Sequence, residues 1–293
     1  MIRRPPRSTP SNSSAASDVY KRQVSHSISP VMHNLVFKET GLNFVYVPFL
    51  VKPSDLQAAI QALKALGILG INVTIPHKEK IISYLDDISP EAKIIGAVNT
   101  VVNREGRLIG YNTDGEGFVQ SLRSRGISLL QKEILILGAG GASVAICVSL
   151  VKEKIKRLVL INRTYSRALR LADRLKKVAP QVNIEVFEYG ERNTFPGHDK
   201  IDLLINATSL GMHDGDPPPV NLQNFPSSVY VYDIIYHRKT KLLEEAEKRG
   251  MMHQGGLDML VFQGALAFEI WTGKKAPLDK MKKVAEDNLR GRI

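Results

Sequence analysis

The sequence predicts an α/β protein of two domains, and three observations predict it. Apolar strand-like runs at Ile134–Leu137, Leu158–Ile161, Leu203–Ile205 and Val229–Ile235 alternate with helical stretches near 142–152, 165–177 and 239–249. Continuous apolar strands separated by helices imply a parallel sheet covered on both faces. Before residue 115 the rhythm differs, with short alternating strands and a hairpin, and 293 residues are enough for two separate cores.

Residues 1–23 stand apart, rich in Ser, Pro and Arg and nearly without apolar residues. They lack the apolar core of a secretory signal, and Pro5, Pro6 and Pro10 oppose the amphipathic helix of a transit peptide. Ser13-Ser-Ala-Ala-Ser-Asp-Val-Tyr-Lys-Arg-Gln23 resembles translated sequencing-adapter sequence, so the segment reads as a non-native or disordered leader.

From Val24 the elements follow in order. Val45, Val47 and Phe49 alternate, which predicts a strand over 43–49. Ser54 with Gln57 offers a capping box for a helix whose apolar face is Leu56, Ile60, Leu63 and Leu66, closed by Gly67. Residues 69–74 return to strand, Pro76 breaks it, and Lys78 arrives at the start of a helix. Strands at 97–102 and 108–112 flank Asn103-Arg-Glu-Gly106, a hairpin signal with glycine placed for positive φ. The final 37 residues, from Leu257, predict two helices divided around Gly273–Pro277, with no strand left to add, so they pack back on the first domain. The chain should cross between domains near Asp114 and Gly256, leaving a cleft between them.

Composition bounds the function. Hydrophobic content of 43% and charged content of 24% are ordinary for a globular protein, and no apolar run approaches the roughly 18 residues of a membrane span. The single cysteine, Cys147, excludes an intrachain disulfide and fits a reducing, cytoplasmic setting. No histidines cluster at metal-ligand spacing. The leader carries +4 of the net +11 charge; the remainder is dispersed, with no one-sided basic stripe, which argues against nucleic acid and leaves anionic small molecules.

Gly138-Ala-Gly-Gly-Ala142 follows a buried strand and opens a helix, as the dinucleotide fingerprint requires: Gly138 for the tight turn, Gly140 for approach of pyrophosphate to backbone and helix N-terminus. The third glycine position holds Ser143, a departure. The next strand ends in Asn162-Arg-Thr-Tyr-Ser-Arg167 without the acid that bonds the ribose of NAD. Arg163 and Arg167 instead suit a 2′-phosphate, with Asn162 and Thr164 as neutral donors, so the cofactor reads as NADP(H). Two solvated arginines at a helix start are the plain alternative.

Lys78 and Asp114 lie upstream of that turn, and hydride transfer to a ketone leaves an alkoxide that must be protonated. A lysine is cationic at neutral pH and can donate; a neighbouring carboxylate orients it and favours the charged form. In order, His26-Ser-Ile-Ser-Pro30, Asn72-Val-Thr-Ile-Pro-His-Lys78, Gly96-Ala-Val-Asn-Thr100, Asn112-Thr-Asp-Gly115, Asn206-Ala-Thr-Ser-Leu-Gly-Met212 and Gly256-Leu-Asp-Met-Leu-Val-Phe-Gln263 resemble the shikimate dehydrogenase family. The resemblance covers nearly all of the chain from Val24. It implies reduction of 3-dehydroshikimate to shikimate with NADPH in aromatic amino-acid (chorismate) biosynthesis. It also implies an N-terminal α/β substrate domain (24–114 with 256–293) and an NADP-binding Rossmann domain (115–255), with the C-terminal helices returning to the first domain. Carried over by position, Lys78 and Asp114 match the catalytic pair. Ser27 and Ser29 match the hydroxyls on the substrate carboxylate, Thr74, Asn99 and Gln263 the ligands of the ring hydroxyls, and Tyr236 another pocket position. Thr208, Met212 and Gly256 fall on the cofactor side. The family's hydrophobic strand and Gly-containing turn before the Ser-x-Ser segment are replaced here by the leader, which puts the stability of this chain in question. A small-molecule substrate is the partner expected, with a homodimer as the oligomer to consider. A dual-specificity quinate/shikimate dehydrogenase would favour NAD, which Asn162-Arg163-Thr164 opposes. The paired serines argue against methylenetetrahydrofolate dehydrogenases, and Lys78 with Asp114 argues against a non-catalytic regulatory relative.

Overall fold

The computed structural model describes residues 27–291. The leader 1–23 and the expectation of a displaced strand beside it lie outside the described residues.

The first domain opens with α1 (Ser29–Glu39) and α2 (Leu56–Ala65). Its sheet comprises β1 (Gly70–Asn72), β2 (Asp87–Ile88), β3 (Thr100–Arg104) and β4 (Arg107–Tyr111), in the order β1-β3-β4-β2. β3 pairs antiparallel with β1 and β4, while β2 runs parallel to β4. Leu56, Ile60 and Leu63 of α2 bury against Val73, Val98, Val101 and Leu108. The expected capping box does not form: Pro53–Asp55 make a 3-10 turn, and the Ser54 hydroxyl bonds the Asp55 carboxylate at 2.9 Å instead of the helix backbone. Proline at 53 starts the helical turn two residues early and leaves Ser54 inside it. Gly67, at φ +62°, does close the helix, with Ile68 N–H donating to Leu63 O at 3.0 Å.

Residues 43–49 are extended but belong to no strand, since no neighbouring segment among the described residues supplies a ladder of backbone partners. One side chain substitutes: Asn34 donates to Tyr46 O at 2.8 Å and accepts from Tyr46 N–H at 2.6 Å. Val45 and Phe49 stay exposed. Lys78 likewise enters a single 3-10 turn, Lys80–Tyr84, not an α-helix. The Ile75–Pro76 bond before it is cis. α3 (Pro90–Ile95), capped by the Ser89 hydroxyl on Ala92 N–H at 3.2 Å, ends at Gly96.

α4 (Asp114–Arg123) leads into the second domain, whose sheet is wholly parallel. β5 (Glu133–Leu137), β6 (Arg157–Ile161), β7 (Asn183–Phe187), β8 (Leu203–Asn206), β9 (Tyr230–Asp233) and β10 (His253–Gly255) are arranged β10-β9-β8-β5-β6-β7. α5 (Gly141–Leu150), α6 (Tyr165–Val178) and α7 (Lys241–Lys248) connect them. Alternate residues of β5 serve opposite faces. Ile134 and Ile136 join one core with Phe118, Ala145 and Leu175, whereas Leu135 and Leu137 join another with Phe195, Leu222 and Leu242. Both faces are therefore dry, as the unbroken apolar run requires.

α8 (Leu257–Thr272) and α9 (Leu278–Arg290) return to the first domain, where Val261, Phe268 and Met281 pack on Ile28, Met32 and Phe37. α4 lies between α5 and α8.

Candidate active site

The site forms where the first sheet ends against the nucleotide turn. β4 runs out at Tyr111, and Asn112 holds the exit, donating to Ala97 O at 3.0 Å and accepting from Asp114 N–H at 3.1 Å. Asp114 thus begins α4, where free backbone N–H groups and the helix dipole favour a carboxylate. A Cβ on the next residue, Gly115, would stand 2.2 Å from Ala145 O. Only glycine lets α4 lie this close to α5, the helix that opens at the Gly-rich turn.

Lys78 reaches Asp114 with Nζ 2.6 Å from Oδ2, the side chains 20% and 10% exposed. At that burial the pair is shielded but open on one side. Asn99 takes the other carboxylate oxygen, donating to Oδ1 at 2.7 Å, and its amide also donates to Thr113 Oγ1 at 3.0 Å. Asn99 Oδ1 accepts from Thr113 N–H and Thr100 Oγ1, both at 2.9 Å, which fixes the amide orientation. Val98 N–H donates to Lys78 O at 2.8 Å, so residues 98 and 99 hold both members of the pair. An ammonium held by an anchored carboxylate is equipped to deliver a proton to an oxygen placed beside it.

The other predicted substrate residues lie on several elements. Ser27 Oγ accepts from Ser29 N–H at 3.3 Å at the start of α1, and Thr74 is exposed in the turn before Pro76. Tyr236 packs on the cluster formed by α1, α8 and α9. Gln263 is turned onto its own helix, donating to Leu260 O at 2.9 Å.

On the nucleotide side, Gly138 adopts φ +112°, and a Cβ there would meet Ala207 O at 2.7 Å. This brings the turn against the loop after β8 that carries Thr208. Ser143, the departure from the three-glycine pattern, is buried and donates to Gly138 O at 2.6 Å, tying the helix back to the turn. Backbone at Gly140 and Gly141 has open space above it, as a pyrophosphate requires; Ala139 and Ala142 complete the turn. Ala139 N–H donates to Asn162 Oδ1 at 3.2 Å, and Asn162 Nδ2 donates to Thr164 O at 2.8 Å. Arg163 and Arg167 are exposed at the start of α6 without a carboxylate partner among the described residues. These residues fit a 2′-phosphorylated dinucleotide.

One buried network escaped the sequence reading. Asn206 Nδ2 lies 3.1 Å from both Asp233 oxygens, and its Oδ1 accepts from Thr208 N–H at 3.1 Å and Thr208 Oγ1 at 2.7 Å. Asp233 also accepts from Thr240 Oγ1 at 2.7 Å and Ile235 N–H at 3.1 Å. Burial pushes the Asp233 carboxyl up while these bonds pull it down. The network stiffens the loop leading to Met212, whose side chain is partly exposed, and Gly256 N–H donates to Ile235 O at 3.1 Å on the same side. An acid inside an apolar strand run, Asp233 in Tyr232-Asp-Ile-Ile-Tyr236, was the available signal.

Comparison with known proteins identifies the family. Three family models match in succession: shikimate dehydrogenase substrate binding domain over residues 19–101, shikimate/quinate 5-dehydrogenase over 121–209, and shikimate 5′-dehydrogenase C-terminal domain over 256–286. A shikimate dehydrogenase (NADP(+)) of Symbiobacterium thermophilum is 44% identical over 271 residues, 92% of each chain. A shikimate dehydrogenase solved in complex with NADP+ superposes with TM-score 0.84 at 40% identity, covering 91% of this chain and 92% of the other. The shikimate 5-dehydrogenase of Thermus thermophilus, solved with NADP(H) and shikimate, gives TM-score 0.81 at 35% identity over 90% of this chain and 96% of the other. With this identity sustained across both domains, the chain belongs to the shikimate dehydrogenase family.

Proposed function

We propose that the chain is an NADP-dependent shikimate dehydrogenase, reversibly reducing 3-dehydroshikimate to shikimate in aromatic amino-acid biosynthesis. The observation that carries this is the 2.6 Å contact between Lys78 and Asp114 beside the nucleotide turn. NADPH, when bound, supplies the hydride. Lys78 supplies the proton to the developing alkoxide, and Asp114, held by Asn99, keeps the ammonium aimed.

Residues 24–114 and 256–293 form the substrate domain in this reading, with Ser27, Ser29, Thr74, Asn99, Tyr236 and Gln263 as substrate ligands. Residues 115–255 hold the cofactor through Gly138–Ala142, Asn162, Arg163, Thr164 and Arg167, with Thr208, Met212 and Gly256 nearby. Gln263 keeps its second Nε2–H and its Oε1 for substrate while bonded to Leu260 O. A cytoplasmic setting and homodimeric assembly belong to the same proposal; among the described residues no helix is long and apolar enough to cross a membrane.

Initial rates with shikimate or quinate, each under NADP+ and NAD+, test the assignment. Shikimate with NADP+ is expected to give the highest kcat/KM. A preference for quinate with NAD+ supports the dual-specificity alternative, and no turnover with any combination supports a non-catalytic relative.

A further inference from the structure

Helix α3 belongs to the first domain, yet both of its ends are tied to the second. In its first turn Glu91 Oε1 accepts from Lys152 Nζ at 2.8 Å, just beyond α5. At its other end Arg174, on α6, donates Nη1–H to Ile95 O at 2.6 Å and lies 3.4 Å from Ile94 O. Those carbonyls are the unpaired acceptors of a helix C-terminus, where a cation is favoured. The guanidinium lies over Gly96, at φ +71°, with Nη1 3.2 Å from where a Cβ would stand. Ile95 and Ala97 add apolar contact, both buried in the cluster that holds Phe118 and Ala145.

The segment leaving this strapped helix is 96–99, the same segment that holds the reacting pair. Val98 N–H bonds Lys78 O and Asn99 bonds Asp114. At its other extremity, α6 begins directly after Asn162-Arg163-Thr164. We infer that Arg174 is a positioning residue, fixing the segment that carries Asn99 against the helix that opens at the cofactor's 2′-phosphate site and so setting the Lys78–Asp114 pair relative to the nucleotide. This rests on the catalytic reading of Lys78 and Asp114. Arg174 is not among the residues proposed to hold substrate or cofactor, and it is exposed, so its removal leaves both cores intact.

The test compares Arg174→Ala, Arg174→Lys and Lys78→Ala in the full-length chain, reading kcat, KM for shikimate, and Tm. Arg174→Ala is expected to lower kcat about tenfold, the scale of a sub-ångström misplacement, with KM for shikimate and Tm little changed. Arg174→Lys, able to donate one bond to Ile95 O, should fall between wild type and alanine. Unchanged kcat in Arg174→Ala, or a loss that tracks Tm and is equal in both variants, overturns the inference. If Arg174→Ala does not accumulate folded, Arg174→Gln replaces it with the same expectations. Lys78→Ala separates the two claims: inactive Lys78→Ala beside fully active Arg174→Ala removes only the positioning role, whereas active Lys78→Ala removes the catalytic reading beneath it.

Discussion

Asn162 joins the glycine turn to the start of α6, leaving Arg163 free to face solvent next to it. A charge-assisted bond to phosphate contributes about 1.5–3 kcal/mol, so Arg163→Ala is expected to raise KM for NADP+ by roughly ten- to 100-fold while leaving NAD+ use unchanged. Equal effects on both cofactors would refute the 2′-phosphate role. His33 offers a different residue-level test. Neither ring nitrogen has a hydrogen-bond partner among the described residues, the ring stacks on Tyr46 with centroids 4.8 Å apart, and burial pushes its pKa down to about 4 from 6.5. Between those values the unfolded chain binds a proton that the folded chain refuses, so stability is complete above pH 6.5 and falls as pH drops towards 4. Urea unfolding should show about 2 kcal/mol less stability at pH 5 than at pH 7 from this group. His33→Phe should flatten that slope; an identical slope contradicts the account. The Lys78–Asp114 contact was legible because its chemistry is carried by residue type and motif. The Asn206–Asp233 bond was not, because it exists only through the register that sets Asn206 beside Asp233 across β8 and β9.

At the scale of elements, the parallel strands were legible because burial on both faces forces continuous apolar runs. β7 and β10 were missed: Asn183-Ile-Glu-Val-Phe187 and His253-Gln-Gly255 lie at the two edges of the sheet, where polar residues are tolerated. α4 was hidden for another reason, since Gly115, Gly117 and Ser121 are poor helix formers. It is helical because those small residues let it seat between α5 and α8, so packing overrides propensity. The strand expected at 43–49 shows the converse: alternation alone makes no strand where no ladder partner is provided among the described residues. The β3–β4 hairpin turns at Glu105 and Gly106, with φ +53° and +88°. Two positive φ values suit Asn-Gly better than Glu-Gly. Glu105→Asn should therefore raise stability by about 0.5–1 kcal/mol, read as a higher Tm, without altering kcat. A lower Tm would mean the turn is not of this type.

The whole molecule is two sheets joined by two crossings, at Asn112–Asp114 and between β10 and α8. Each crossing brings its own chemistry to the boundary. The first delivers Asp114 beside Lys78 and against the helix of the nucleotide turn; the second carries Gly256 against Ile235, which follows Asp233. In the proposed mechanism one side supplies the proton and the other the hydride, and neither sheet alone holds both. The order of motifs suggested that arrangement, but its straps, from Arg174 and Lys152 to α3, join residues far apart in the chain and emerge only once both domains are docked. The division rests on Lys78 as the proton donor. The direct measurement is kcat for Lys78→Ala with NADPH and 3-dehydroshikimate, alongside the binding of both ligands to the same preparation. The account predicts at least about a 100-fold loss of kcat with binding retained; wild-type turnover in that variant would contradict it.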